Sequence, residues 1–171
     1  MIKYVPSDTE VVFEEIPNEV TLAINISNCQ NNCEGCHSAY LKGNVGEELT
    51  TEALDNLISA NDGITCVCFM GEGNDDLAIQ NLMAHLHQNH PELKIGLYSG
   101  REEVLEDFYW ELLDYLKIGP YIQSCGPLNK KTTNQRLYGR DENIITGVQG
   151  PSGTRYRYHW KDITEKFWNK E

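Results

Sequence analysis

Basic residues are scarce in this chain: 14 Lys and Arg stand against 26 Asp and Glu among 171 residues, a formal net charge of −12. Binding to a phosphate backbone relies on Lys and Arg displacing counterions, so no nucleic-acid partner is expected. Glu14, Glu15 and Glu19 concentrate acid near the start. Long apolar runs are missing too. Nothing approaches the roughly 18–20 residues of a membrane span, and residues 1–8 lack the apolar stretch of a secretion signal. A cytoplasmic protein without a membrane partner is the expectation. Repeats, low-complexity blocks and Pro/Gly/Ser-rich linkers are absent, and at roughly 100–200 residues per domain one domain over residues 1–171 is expected. There is no Ser-His-Asp set, no phosphate-cradling glycine loop and nothing that reads as a flavin site.

The hydrophobic pattern alternates strands with helices. Short apolar runs at 21–27, 64–70, 94–99 and 115–119 read as strands, the second buried on both faces. Helices are expected from a Thr50 or Thr51 cap, with Ala53, Leu54, Leu57 and Ile58 on one face, over about 75–88 and over 102–113. Such alternation predicts an α/β fold with a parallel sheet and right-handed crossovers. Four βα units are too few to close an eight-stranded barrel, so an open or partial barrel fits. Sites in such sheets gather in the loops after the strands, which puts the 29–36 and 71–75 loops on one edge. After Gly119 the pattern fades into a long polar loop over 120–136, of a length that is usually functional. Residues 143–148 and 154–160 read as late strands; the interleaved basic and aromatic residues 155–160 suit a late strand or a protein docking surface.

Six cysteines are present, and Cys29, Cys33 and Cys36 crowd into one loop at spacing x3 then x2. Without a secretion signal they read as reduced thiols. Thiolates favour zinc and iron–sulfur clusters, and a structural zinc normally takes four protein ligands. Three thiolates on a 4Fe-4S cubane would leave one iron able to bind a small molecule; a zinc completed by His37 or Cys125 is the alternative. Gly35 lets the backbone approach a cluster or ligand closely. Cys66 and Cys68 share a strand face and read as core. His85, His87 and His90 read as a solvated helix end, because 85 and 87 point apart and only 87 and 90 are neighbours.

The Cys-x3-Cys-x2-Cys pattern after the first strand resembles the signature of radical S-adenosylmethionine enzymes. The run Cys33-Glu34-Gly35-Cys36-His37, the stretch 96–101, and 119–121 through 126–129 to 132–136 are similar to the activating proteins of anaerobic ribonucleoside-triphosphate reductase. The resemblance spans most of residues 21–138. It implies an incomplete βα barrel of the radical S-adenosylmethionine type, with a 4Fe-4S cluster on Cys29, Cys33 and Cys36. It further implies S-adenosylmethionine chelated to the open iron, its reductive cleavage, and hydrogen abstraction from a glycine of the reductase. The reductase would be the protein substrate, and an external low-potential protein the electron donor. The backbone at Gly35, Cys36 and His37 would line the adenine; His37 would either stack there or cap the loop. Gly71, Glu72, Gly73, Asn74 and Asp75 sit where the family carries a Gly-Gly-acid motif gripping the methionine amine. Glu72 stands where a second Gly is usual, so the acceptor is Glu72, Asn74 or Asp75. Pyruvate formate-lyase-type activases and a non-catalytic zinc-binding interaction module are the rival readings.

Overall fold

Residues 1–103, 111–150 and 153–168 are described by the computed structural model, and the side chains of 142–146, 148–150 and 153–158 are left aside. The elements in chain order are β1 (Lys3–Tyr4), β2 (Glu10–Val12), β3 (Thr21–Asn25), β4 (Glu47–Glu48), α1 (Thr51–Ser59), β5 (Cys66–Met70), α2 (Asp76–Asn89), β6 (Lys94–Tyr98), β7 (Tyr115–Ile118), β8 (Arg136–Gly150) and β9 (Gly153–Asp162). Short 3₁₀ turns occupy Pro6–Asp8, Ala39–Lys42 and Thr164–Phe167. Both helices begin where capping chemistry dictates. Thr50 Oγ1 accepts from the Ala53 amide at 3.1 Å, and Asp75 Oδ1 accepts from the Ala78 amide at 3.0 Å, satisfying donors that a helix start leaves open. The helix expected over 102–113 lies largely outside the described residues.

Seven strands form one sheet in the order β2-β3-β5-β6-β7-β8-β9, while β1 and β4 pair separately. The four strands anticipated from apolar runs, β3, β5, β6 and β7, are adjacent and parallel. The sheet is nevertheless mixed. β2 joins one edge antiparallel, and β8 and β9 continue the other edge as an antiparallel hairpin. The parallel strands thus form the centre of the sheet, and its antiparallel margins arise because β2 and the β8–β9 hairpin join without a crossover. No closed barrel forms among the described residues.

Strand alternation divides the sheet into two faces. Leu22, Val67 and Ile95 align across the parallel strands, as do Ile24, Phe69, Leu97 and Leu116. These rows are buried against Leu54 of α1 and Ile79, Leu82, Met83 and Leu86 of α2. The parallel strands advance in one direction across the sheet, so right-handed crossovers place both helices on this face. The opposite face carries the row Ala23, Cys68, Gly96 and Tyr115. There Cys66 and Cys68 are fully buried with Ile16, Leu137 and Ile163, as core thiols. The acidic start is structural in part: Tyr115 Oη donates to Glu19 Oε1 at 2.6 Å, Tyr98 Oη donates to the Glu15 carbonyl, and Ile16 is buried between them in sequence. The histidine reading needs correcting as well. His87 is exposed, whereas His85 and His90 meet at Asp55 of α1; the contact depends on a second helix.

Candidate functional site

At the carboxyl ends of the parallel strands one further row crosses the face opposite α1 and α2: Asn25 pairs with Met70, Met70 with Tyr98, and Tyr98 with Lys117. All four line a cavity of about 630 Å³. The position accords with the rule that parallel sheets build sites beyond the carboxyl ends of their strands. The loop after β3 supplies one wall. Its base is clamped by two backbone bonds, Asn28 N–H to the Gly43 carbonyl at 3.1 Å and Cys29 N–H to the Leu41 carbonyl at 2.9 Å. The clamp makes a compact loop whose ends are close together. Lys42 Nζ donates to Asn32 Oδ1 at 2.9 Å across it.

Cys29, Cys33 and Cys36 are free, half-buried, and all line this cavity. As a group of three, their sulfurs do not converge to within 4.8 Å of one another. A single zinc with Zn–S bonds of about 2.3 Å holds neighbouring sulfurs about 3.8 Å apart, so the thiols are more open than one tetrahedral ion asks. Three thiols are the soft donor set that both zinc and iron–sulfur clusters take. Cys125 sits in the 120–135 loop, is not among the lining residues, and accepts at its carbonyl from Thr132 Oγ1 at 2.6 Å.

The residues singled out in the sequence divide at the cavity wall. Cys36, His37 and Gly71 line it. His37 meets the Tyr121 ring edge-on at 6.4 Å between centroids, and Tyr121 lines the cavity as well. Gly71 has φ +118°, a backbone conformation that side chains disfavour, and so lets the chain turn tightly at the strand end. Gly35 lies outside the lining, next to Gln123. Glu72, Gly73, Asn74 and Asp75 also lie outside it. Glu72 is buried, 2.7 Å from Arg101 Nε, and Gly73 packs on Ile2 and Ile26. Asp75 caps α2 and pairs with the amino group of Met1; Asn74 and Asp75 border a separate hollow with Lys3 and Asn28.

Lys117 escaped the sequence reading and is central to the geometry. Its side chain is 8 % exposed, and Nζ donates to the Gly119 carbonyl at 2.7 Å while lying 5.9 Å from the Tyr98 ring centroid. Burial pushes its pKa from 10.5 down to about 8, against the opposing pull of the Cys33 and Cys36 thiols, Glu15 and Cys29. A buried cation is costly unless something compensates it, and here it faces a cavity that also holds three potential thiolates. A Lys two residues after Tyr115 on a strand was the available signal. Glu14, Glu15, Gln135, Phe167 and Trp168 also line the cavity. Trp168 Nε1 donates to the Leu128 carbonyl at 3.3 Å, fastening the 164–168 segment to the long loop. Asn134 Nδ2 donates to the Pro120 carbonyl at 2.9 Å, closing that loop at its base.

Comparison with protein-family models, with curated proteins and with solved structures finds no match to this chain.

Proposed function

We propose that the chain is a radical S-adenosylmethionine activase that generates a glycyl radical on anaerobic ribonucleoside-triphosphate reductase, working in the cytoplasm with an external low-potential electron donor. The observation that carries the proposal is the placing of three free thiols of one clamped loop on the wall of a cavity floored by Asn25, Met70, Tyr98 and Lys117. Cys29, Cys33 and Cys36 would hold a 4Fe-4S cluster, and the remaining cavity would admit S-adenosylmethionine. When bound, the cluster supplies the electron for reductive cleavage of that cofactor, which in turn removes a hydrogen atom from a glycine of the reductase.

The chain's own residues bind, orient and exclude water. Lys117 offers a positive charge to an anionic thiolate site in surroundings where screening is weak. His37 and Tyr121 offer ring surface near the third thiol, and Gly71 offers close backbone approach. No buried acid among 72–75 reaches the cavity, since Glu72 is engaged with Arg101; the methionine amine would therefore be met by other acceptors of the lining, among which are Asn25, Glu14 and Glu15. No described helix is long and apolar enough to cross a membrane.

Anaerobic reconstitution tests the reading. The loaded protein is expected to be brown, to contain iron and sulfide in equal amounts, and to cleave S-adenosylmethionine when reduced; Cys29→Ala, Cys33→Ala and Cys36→Ala should each abolish cleavage. Full cleavage in these variants, or zinc as the sole bound metal, sinks the assignment. With the reductase added, electron paramagnetic resonance should detect a glycyl radical. A silent spectrum beside active cleavage would move the target to another protein, such as a pyruvate formate-lyase-type enzyme.

A further inference from the structure

On the helix layer a second group of metal-binding side chains comes together. Asp55 stands in the middle of α1, His85 in the last turns of α2, and His90 at its C-cap. The Nε2 atoms of His85 and His90 both lie 2.8 Å from Asp55 Oδ1. One donor atom from each of the three lies within 4.8 Å of the other two. From Asp76, which pairs with Arg101 beside the strand ends, nine residues at 1.5 Å each put His85 about 14 Å along the helix axis. The trio is thus separate from the thiol cavity.

We propose that Asp55, His85 and His90 bind one transition-metal dication of the zinc class, cross-linking α1 to the C-terminal end of α2 and leaving one coordination position open to solvent. Two imidazoles and a carboxylate select this class. Calcium and magnesium ask for oxygen donors throughout, whereas zinc, cobalt, nickel and copper(II) favour imidazole nitrogen. The rearrangement is small. On a tetrahedral ion with bonds of about 2.0–2.1 Å, neighbouring donors sit about 3.3 Å apart, so the carboxylate retreats about half an ångström from its present 2.8 Å and the two imidazole nitrogens, within 4.8 Å of each other, settle at that spacing. Asp55 is 41 % exposed and has the room, while the imidazoles are held at 21 % and 19 %.

The outer contacts bear on ligation differently at the two imidazoles. Metal-binding imidazoles are usually steered by a partner on the other ring nitrogen. His90 Nδ1 has the Glu92 carboxylate 3.9 Å away as an acceptor of that kind, whereas His85 Nδ1 accepts from Asn89 Nδ2 at 3.2 Å, so ligation through His85 Nε2 requires the Asn89 amide to turn its oxygen to that nitrogen. With three protein donors, the fourth position falls to water or an incoming group, as in open rather than closed zinc sites.

The test is independent of the proposed activity. Zinc chloride is titrated into the full chain carrying Cys29→Ser, Cys33→Ser and Cys36→Ser, labelled with ¹⁵N-histidine. The Nε2 resonances of His85 and His90 should move together and saturate at one equivalent, with His87 unmoved. At a zinc concentration about 100-fold above Kd the melting temperature should rise by about 5–10 °C, and this rise should vanish in His85→Gln and Asp55→Asn backgrounds. Should the serine variant not fold, the wild-type chain with alkylated thiols replaces it. No response at His85 and His90, or a melting-temperature rise that survives His85→Gln, overturns the site.

Discussion

The Glu72 carboxylate lies 2.7 Å from Arg101 Nε and does not line the cavity a few residues away. Arg101 also reaches Asp76 at 2.9 Å, so one guanidinium ties the turn after β5, the start of α2 and the loop after β6. Burial pushes the Glu72 pKa above the ordinary carboxylate value, while a hydrogen bond from Ser99 and the Arg101 charge pull it back. The acid that departs from the Gly-Gly pattern is a fastener for the strand-end loops.

Glu72→Gly should therefore destabilise the fold. Removing one partner of a buried charge pair leaves the other poorly compensated; with Asp76 still in place the expected loss is about 2 kcal/mol in urea unfolding. Cofactor cleavage should fall or stay level. A variant that matches the parent in stability and cleaves faster would instead mean that Glu72 obstructs the site.

Native thiol reactivity should separate the six cysteines into two groups. Cys66 and Cys68 are fully buried, and burial pushes both thiols far above their ordinary pKa, leaving almost no nucleophilic thiolate at neutral pH. Mass spectrometry after brief treatment of the metal-free chain with iodoacetamide should find Cys29, Cys33, Cys36 and Cys125 modified and Cys66 and Cys68 untouched. Labelling of Cys66 or Cys68 at the rate of the loop thiols would contradict the packing of the sheet face opposite α1 and α2.

Lys117 should leave a mark on stability at alkaline pH. Its folded-state pKa of about 8 lies below the ordinary 10.5, so between these values the unfolded chain binds the extra proton. Stability from this group rises as pH climbs from about 8 to about 10.5, and its burial penalty is felt in full below pH 8. The whole span corresponds to a difference on the order of 3 kcal/mol. Urea unfolding of the metal-free chain and of Lys117→Met at pH 7.5, 8.5 and 9.5 isolates it: the advantage of the Met variant should shrink as pH rises. A constant difference across that range would show that Lys117 is not buried as a cation.

Local pattern made much of the frame legible. The runs at 21–27, 64–70, 94–99 and 115–119 become β3, β5, β6 and β7 because strand formation follows from β-rich apolar composition, and α1 and α2 begin at Thr50 and Asp75 because capping uses residues within one turn. β2, Glu10-Val11-Val12, was missed because three residues are too short to show a strand period; it exists by pairing with Ala23, Leu22 and Thr21. The pairing of β8 with β7 was missed for a related reason. Its register, Leu137 opposite Lys117, depends on a loop closure that no short window of sequence contains.

The amino-acid order alone determined the three crowded thiols, the alternation of strand and helix, and the core character of Cys66 and Cys68, since each depends on neighbours within a few positions. Tertiary structure decided that Asn25, Met70, Tyr98 and Lys117 stand in one row beneath those thiols, that Glu72 turns to Arg101, and that His85 and His90 share Asp55. These relations join residues 19 to 45 positions apart along the chain, in elements whose register is set by sheet pairing and helix packing; their energies arise only when both sides are already in place.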